Sequence, residues 1–418
     1  MKNLFFLILI ILLNFTNLNA QWEPRNKGCE SRKVGSIVSD SKNLYLGSDI
    51  GIFLSTDNGL SWLAMNNGME SVIIGSYTIS SLAANGQNIY AGTHSFGIFL
   101  STDKGIKWVS KSNGMPYSVY HYTDSLFDTI YHFEISAILV KEKNIFAAYY
   151  GFGGDTIVQG FYSSTNNGFD WIQKTKGLPI YKPADNYLIQ DIFSLTMNGN
   201  NLFAGTRFGV YMTSDNGDKW IPKNSGMVNG RVFKLTTYGD NVYAIPIGGG
   251  IYQSSDLGDS WQYVSGKGFL CCDLIVRDNI MIAIGKGVNI SKNHGVDWLA
   301  FNSGLPIDFE VHAITLIGEY LYAGTNDGIY RAKLSDLGIT DVKETEQTIN
   351  NVIYPNPATD FLELSFAAEP AQFKIEIFSI EGIKMFEAEP ATRIDVSRLV
   401  AGVYFVKYGS RVSKFVKM

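Results

Sequence analysis

The segment Ser55-Thr56-Asp57-Asn58-Gly59-Leu60-Ser61-Trp62 sets the pattern of the chain, because it recurs five more times as Ser/Thr-x-Asp/Asn-x-Gly-x-x-Trp. The third and last residues of the six copies are Asp57 and Trp62, Asp103 and Trp108, Asn166 and Trp171, Asp215 and Trp220, Asp256 and Trp261, and Asn293 and Trp298. Successive tryptophans lie 37 to 63 residues apart. This spacing is near the ~40–50 residues of a four-stranded blade, so the repeat predicts a propeller.

The seventh tryptophan, Trp22, lacks the first half of the pattern but keeps the residues that come after the tryptophan in other copies. Residues 22–28 (WEPRNKG) resemble residues 220–226 (WIPKNSG). The missing first half lies at the far end of the repeats, in residues 320–325 and 328–330. Because one unit is split between the two ends, we expect an all-β fold, a seven-bladed β-propeller closed by the N-terminal strand.

Each repeat contains four short runs rich in β-branched and aromatic residues, for example 79–82, 88–93, 97–101 and the run after Trp108. No long stretch has a 3.6-residue period, so helices should be few. The repeated motif falls between the third and fourth strands. There the Asp or Asn can accept backbone N–H groups two residues on, the Gly supplies positive φ, and the Trp covers the turn. We therefore interpret these residues as structural.

The motif resembles the Asp-box (BNR) repeats of sialidase-like propellers, sortilin-type receptors, xyloglucan-degrading hydrolases and the photosystem assembly factor type. The resemblance covers residues 22–333 and implies the propeller fold for residues 21–335. It says little about activity, because the box lies away from the active sites of those families.

Residues 1–20 have the pattern of a secretory signal peptide, with Lys2, an apolar run over 4–13 and Ala20 at the end. The alternative is a membrane anchor, although the apolar run is short for a bilayer. No other apolar run has spanning length, so no membrane span is expected in the mature protein.

The C-terminal part departs from the repeat. A polar linker is predicted over 336–350, and residues 351–418 have the alternating pattern of a small Ig-like β-sandwich. The segments 354–357 (YPNP), 399–404 (LVAGVY) and 414–417 (KFVK) are similar to the C-terminal sorting domain of the type IX secretion system in Bacteroidetes. The resemblance implies that the type IX machinery is a partner. It also implies export across the outer membrane, then removal of the domain, with release or surface attachment. An ordinary carbohydrate-binding or adhesive β-domain is the alternative.

The composition excludes some partners. The net charge is −5 and the basic residues are scattered, so nucleic acid is not expected. The three cysteines, Cys29, Cys271 and Cys272, leave at least one unpaired unless chains cross-link. Cys271 falls on a strand position equivalent to Val232, which predicts a buried thiol; a Cys271–Cys272 disulfide is the alternative. The histidines and cysteines lack metal-ligand spacing, so no metal or other cofactor is expected.

Three insertions, at 115–134, 149–160 and 179–191, are expected on the face opposite the boxes. Long loops in compact domains are often functional, and tyrosines suit stacking on sugars or protein contacts. The alternative is that these aromatics only pack the insertions onto the propeller. The candidate ligand-binding residues are Tyr117, Tyr120, His121, Tyr122, Asp124, Tyr149, Tyr150, Asp155, Tyr181, Asp185, Tyr187 and Arg207.

The sequence favours a non-catalytic protein that binds glycan or protein ligands through this face. No convergent arginine cluster of the sialidase type is evident. The alternative is a glycoside hydrolase with a carboxylate pair on the same face, drawn from Asp124, Asp128, Asp155 and Asp185. A scaffold for other exported proteins is a third hypothesis.

Overall fold

The structure is a computed structural model. The chain consists of two compact units, Met1–Thr340 and Asp341–Met418. The described residues contain strands and turns and no helix, so the fold is all-β. The described ranges are 22–29, 33–40, 42–69, 78–116, 118–120, 129–131, 134–150, 160–181, 191–228, 230–248, 250–265, 271–306, 309–339, 353–354, 358–364, 374–379, 383–388, 393–408 and 411–418.

The first unit consists of repeated antiparallel four-stranded sheets. Its strands are β1 (Glu23–Pro24), β2 (Val34–Ser39), β3 (Leu44–Ser48), β4 (Gly51–Ser55), β5 (Leu63–Ala64), β6 (Ile79–Asn85), β7 (Asn88–Thr93), β8 (Ile98–Ser101), β9 (Val109–Ser110), β10 (Ser118–Tyr120), β11 (Thr129–Tyr131), β12 (Glu134–Lys141), β13 (Asn144–Tyr150), β14 (Gly160–Ser164), β15 (Ile172–Gln173), β16 (Ile192–Asn198), β17 (Asn201–Thr206), β18 (Gly209–Thr213), β19 (Ile221–Pro222), β20 (Val232–Tyr238), β21 (Asn241–Pro246), β22 (Ile251–Ser254), β23 (Gln262–Ser265), β24 (Cys271–Arg277), β25 (Ile280–Gly285), β26 (Gly287–Ser291), β27 (Leu299–Ala300), β28 (Val311–Ile317), β29 (Tyr320–Thr325) and β30 (Gly328–Lys333).

Six of these sheets are formed by consecutive strands, and the seventh takes one strand from the N-terminus. Sheet 1 is β2–β5, sheet 2 is β6–β9, sheet 3 is β12–β15, sheet 4 is β16–β19, sheet 5 is β20–β23 and sheet 6 is β24–β27. Sheet 7 has the order β1-β30-β29-β28. Strands β10 and β11 form a separate hairpin between sheets 2 and 3. The strands predicted for the second repeat coincide with β6 to β9, which confirms that interpretation.

The turns that carry the repeated motif, here called box turns, join the third and fourth strands. In the first of them, the Ser55 hydroxyl accepts the Gly59 N–H at 2.8 Å, and the Asp57 carboxylate accepts the Ser61 N–H at 2.9 Å. The carboxylate thus bonds a group four residues on, not two as predicted. Both Asn58 and Gly59 have positive φ (56° and 77°), so the turn needs two left-handed residues and not the glycine alone.

The identity of the third residue in each box turn is correlated with the identity of the residue four positions later. Where the third residue is Asp, the later residue is Ser or Lys, and the Ser61 hydroxyl donates to Asp57 at 2.5 Å. Where it is Asn, the later residue is Asp, and Asn293 Nδ2 donates to Asp297 Oδ2 at 2.8 Å. The two positions therefore exchange donor and acceptor chemistry, and two carboxylates never face each other in these turns.

The tryptophan after each box turn fastens its sheet to the preceding one. The backbone N–H of Trp62 donates to the Lys27 carbonyl at 2.9 Å, and its indole N–H donates to the Arg25 carbonyl at 2.7 Å. Gly28 is required beside it, because a Cβ there would lie 2.2 Å from the Trp62 carbonyl oxygen. The same two bonds are made by Trp108, Trp171, Trp220 and Trp261.

Trp22 makes this contact with sheet 6, across the two ends of the repeats. Its N–H donates to the Ser303 carbonyl at 3.0 Å and its indole N–H to the Phe301 carbonyl at 2.7 Å. The side chain is 1% exposed. The following strand β1 pairs with β30, with Glu23 opposite Arg331. The N-terminal segment is thus held by two sheets from the far end of the unit.

The first strands of the seven sheets contact one another in cyclic order, from sheet 1 through sheet 7 and back to sheet 1. They surround a cavity of about 460 Å³. One residue near the start of each first strand, the third residue of β12 and the second residue of the other six, lines this cavity: Gly35, Ser80, Ser136, Phe193, Phe233, Cys272 and His312. The end of the unit follows β30 as a turn in which Leu337 and Ile339 are buried. These two residues lie within the segment 336–350 that the sequence analysis assigns to the linker.

The second unit has two sheets around one core. Its strands are β31 (Ile353–Tyr354), β32 (Phe361–Leu364), β33 (Ile375–Ser379), β34 (Lys384–Ala388), β35 (Arg393–Asp395), β36 (Gly402–Tyr408) and β37 (Arg411–Lys417). The sheet orders are β31-β32-β35 and β34-β33-β36-β37. Leu362 and Ile394 from the first sheet share the core with Ile377, Val406 and Phe415 from the second.

Candidate functional site

The turns between second and third strands and the loops between sheets lie on the face opposite the box turns, because neighbouring strands run in opposite directions. We call this the loop face, and the other the box face. Most predicted ligand-binding residues on the loop face fall outside the described residues. These are Tyr117, His121, Tyr122, Asp124, Asp155, Asp185 and Tyr187, together with Asp128 of the hydrolase hypothesis. Tyr120 lies on β10 opposite Thr129, and Tyr150 lies on β13 opposite Glu134.

Tyr149 is buried and forms part of the packing of sheet 3. It is 0% exposed, its hydroxyl donates to the Pro116 carbonyl, and its ring centroid lies 5.6 Å from that of Tyr162. The residue therefore holds the start of the 115–134 segment against sheet 3 and presents no surface to a ligand. This is the packing alternative that the sequence left open for the insertion aromatics.

Tyr181 and Arg207 come together on the loop face. Arg207 lies in the turn between β17 and β18, as predicted, and its guanidinium carbon is 4.7 Å from the centre of the Tyr181 ring. Phe208, in the same turn, has its ring centroid 6.3 Å from that of Tyr181. Tyr181 is 37% exposed and Phe208 is 45% exposed. The three side chains form an exposed aromatic surface with a cation beside it.

Asp191 fixes the position of Arg207. Its carboxylate accepts a hydrogen bond from Arg207 Nε at 2.7 Å and also pairs with Nη2. Asp191 is 4% exposed, and its second oxygen Oδ1 has no hydrogen-bond partner among the described residues. A buried carboxylate oxygen without a donor is costly, so this site can accept one further donor from a water or ligand.

Phe208 and Asp191 were not among the residues predicted from the sequence, although both had a visible signal. Asp191 ends the 179–191 insertion directly before a predicted strand, and Phe208 follows Arg207 in a turn where Gly, Asn and Asp are the usual residues. A large apolar residue in such a turn is itself a pointer to a contact surface.

Cys272 and His312 line the cavity on the side of sheets 6 and 7. The Cys272 thiol donates to the Val311 carbonyl at 3.5 Å, and the structure gives it as a free thiol, so it forms no disulfide with Cys271. Cys272 is exposed to the cavity, but partial loss of water around the thiol, together with Asp273, raises its pKa, and burial lowers the pKa of His312. Both groups are therefore neutral near pH 7, which does not favour a thiolate–imidazolium pair.

The thiol of Cys272 has a structural equivalent in two other sheets. Ser80 donates to the Ile135 carbonyl and Ser136 to the Ile192 carbonyl, each at 2.8 Å. Like Cys272, both serines lie near the start of a first strand and bond to a carbonyl near the start of the next sheet. Cys272 and Ser136 bond to the first residue of that sheet, and Ser80 bonds to the second residue of β12. Cys271 begins β24 as Val232 begins β20, which confirms the predicted equivalence of their strand positions.

Across the described ranges, no three His, Cys, Asp or Glu side chains are grouped closely enough to hold a metal ion. Among the same residues, no helix has the length and apolar character needed to cross a bilayer.

Residues 352–418 match the family described as the secretion system C-terminal sorting domain. This match confirms the predicted sorting domain, and it implies recognition by the type IX secretion machinery. The chain is therefore exported, to the cell surface or the medium. A search of curated proteins finds no match to the chain.

The first unit is similar to solved β-propellers. The structure of YCF48 bound to D1 peptide is 15% identical with a TM-score of 0.53, covering 76% of this chain and 98% of that one. The WD40 β-propeller domain of Doa1 is 13% identical with a TM-score of 0.51, covering 74% and 96%. The GH74 xyloglucanase from Xanthomonas campestris is 13% identical with a TM-score of 0.54, covering 76% of this chain but 54% of the enzyme. At these identities the likeness concerns the fold alone.

Proposed function

We propose that the chain is an exported, non-catalytic binding protein that takes glycan or protein ligands on its loop face. Seven sheets would act as the blades of a propeller closed by β1, and the sorting domain would deliver it through the outer membrane. A signal peptide over 1–20 and the sorting domain are the parts expected to be removed. The propeller would extend to the turn that contains Leu337 and Ile339, since both are buried with the first unit.

The exposed cluster of Tyr181, Phe208 and Arg207 is the observation that carries this proposal. Loops that only connect sheets have no reason to expose two neighbouring aromatic rings to water. Arg207 is held over Tyr181 by the buried Asp191, so the cluster is pre-organised and loses little side-chain entropy when a ligand binds. Aromatic residues and arginine are also the side chains enriched at binding surfaces.

The neutral state of the cavity residues and the chemistry of the cluster favour binding over catalysis. Arg207 and Asp191 neutralise each other, and Asp191 is almost fully buried. This pair therefore lacks the second, separately positioned carboxylate that a glycoside hydrolase of the usual kind needs.

The test is binding of the purified full-length chain to a broad glycan array and to a displayed peptide library. We expect a ligand from one of the two, and we expect Tyr181→Ala/Phe208→Ala to lose it. The matched control is Leu63→Ala/Ile172→Ala, which removes two apolar side chains that are more exposed (65% and 64%) and lie on fourth strands. Binding that survives the first variant, or is lost in the control, would contradict the proposal, as would release of reducing ends from a bound glycan.

A further inference from the structure

The exposed apolar residues of the loop face are concentrated in one sector, formed by sheets 4 and 5 and the loops that bound them. Among the described residues of this face, Ile50 is the one large exposed apolar residue outside the sector. The sector holds Ile180 (50% exposed), Tyr181 (37%), Phe208 (45%), Val228 (57%), Phe233 (39%) and Ile247 (49%). The corresponding turn of sheet 7 carries Asn326 and Asp327, and that of sheet 2 carries His94, Ser95 and Phe96, which is partly buried against the core.

Contacts link the members of the sector. The Tyr181 ring, in the loop that precedes sheet 4, neighbours the Phe208 ring of that sheet, and β16 and β17 of sheet 4 both contact β20 of sheet 5. Phe193 of sheet 4 meets Phe233 of sheet 5 edge-to-face at 5.0 Å. On sheet 5, the Ile247 N–H donates to the Arg231 carbonyl at 2.8 Å, which places the second-to-third strand turn against the start of β20.

The charged side chains Arg207, Lys234 and Arg231 differ in whether they pair with another described residue. Arg207 is paired with Asp191, and Lys234 is paired with Asp273 at 2.8 Å. Arg231 makes no ion pair with a described residue, and it lies between the exposed Val228 and Phe233 in the chain. An apolar surface with an unpaired guanidinium complements an apolar ligand that carries a carboxylate.

The side-chain types distinguish between the two ligand classes of the proposed function. Val228 and Ile247 are branched aliphatic residues with no flat π face and no hydrogen-bonding group. Sugar hydroxyls placed on them would lose water without gaining a partner, which is unfavourable. Aliphatic and aromatic side chains of a peptide would instead bury apolar area on both partners.

We propose that the sector of sheets 4 and 5 binds a peptide segment of a partner protein, in which aliphatic or aromatic side chains flank an acidic residue. The acidic group pairs with Arg231, and the apolar side chains cover Val228, Ile247 and the Tyr181–Phe208 pair. Phe233 lies where the sector meets the central cavity of about 460 Å³, which has room for one large side chain of the ligand. This inference rests on the proposed function, because it selects the ligand class for the same face.

The test is selection of short random peptides displayed on phage against the full-length chain. We expect the selected peptides to combine apolar residues with an acidic one, and Val228→Asp/Ile247→Asp to weaken their binding about tenfold or more. The matched control Val296→Asp/Leu299→Asp places the same charges at two other exposed apolar positions (75% and 62%), one on the box face and one on a fourth strand. It should bind like the unmodified chain. All these side chains are exposed, so an unchanged unfolding midpoint verifies that each variant is folded.

Charge reversal provides the second arm. Arg231→Glu should reject the selected acidic peptides and, in a repeat selection, enrich basic ones in their place. The inference is overturned if no peptide is enriched, if the sector variant and the control bind alike, or if Arg231→Glu leaves the selected motif unchanged. A glycan ligand lost in Tyr181→Ala/Phe208→Ala, with no peptide enriched, would refute the peptide inference but leave the proposed function standing. Absence of both ligands would refute both.

Discussion

Removal of the Trp22 side chain tests how the N-terminal segment contributes to the first unit. The side chain is 1% exposed, and its indole N–H donates to the Phe301 carbonyl. Truncation of a fully buried tryptophan to alanine costs about 3–5 kcal/mol of unfolding free energy. Trp22→Phe keeps most of the apolar contact and leaves the Phe301 carbonyl without its donor, so we expect a loss of about 1–2 kcal/mol.

The assay is urea unfolding followed by circular dichroism, which does not depend on the tryptophan that is removed. The control is Trp108→Ala, because Trp108 is also 1% exposed and makes the same two hydrogen bonds to the carbonyls of Asn67 and Met65, not to the N-terminal segment. Both alanine variants should lose similar free energy. Only Trp22→Ala should also speed hydrogen exchange at the Arg25 amide, which donates to the Ile329 carbonyl at 2.9 Å in the pairing of β1 with β30.

The reasoning is refuted if Trp22→Ala unfolds at the same urea concentration as the unmodified chain. It is also refuted if the Arg25 amide stays as protected as before, since β1 would then be held by something other than Trp22. A loss confined to Trp108→Ala would mean that the N-terminal segment is not needed to join sheets 6 and 7.

The box turns and the cavity lead to three further expected outcomes. Asn293→Asp should lower the unfolding free energy at pH 7 by about 1–2 kcal/mol, because it sets a carboxylate against Asp297; Asp297→Ser in the same chain should restore it, and no rescue would contradict the donor–acceptor exchange. The Ser61 hydroxyl lowers the pKa of Asp57 from 3.8 to about 2. The ionised Asp57 carboxylate therefore stabilises the folded state fully above pH 4, and this stabilisation is lost as the pH falls towards 2. Acid titration of the unfolding midpoint should therefore be flatter in that window for Asp57→Asn, and an identical titration would count against the shift. Cys272→Ser should raise the unfolding free energy by about 0.5–1 kcal/mol, because a hydroxyl donates a stronger hydrogen bond to the Val311 carbonyl than the thiol does. A lower unfolding free energy would mean that the thiol stabilises the fold through apolar contacts instead.

The sequence predicted the parts of the fold that repeat. Each copy of the motif contains its own turn chemistry, so six local patterns pointed to the same architecture, and Trp22 identified the split unit. The left-handed conformation of the residue before the glycine could not be predicted from the sequence, because residues as different as Asn58 and Leu257 occupy this position. Its conformation is imposed by the hydrogen bonds of the turn and not by residue preference.

The candidate site was less predictable, because exposure depends on packing between sheets. Tyr149 and Tyr181 both belong to aromatic insertions in the sequence, but one is buried at 0% and the other is 37% exposed. Only the register of β13 against β14 places Tyr149 inside sheet 3. The ion pair of Arg207 with Asp191 likewise depends on strand pairing, because Asp191 precedes β16 and Arg207 follows β17. A single sequence does not show that these two positions are close together.

The split seventh sheet makes the order of synthesis matter. Sheets 1 to 6 join neighbouring segments, so each can form soon after its own residues emerge. Trp22 and Phe301 are 279 residues apart, and Asn26 accepts the Ile329 N–H across 303 residues. Strand β1 must wait for the last strand of the first unit before it acquires its sheet partner. A polypeptide interrupted before β30 leaves β1 without the strand it pairs with, so the seventh sheet distinguishes a complete first unit from a fragment of it.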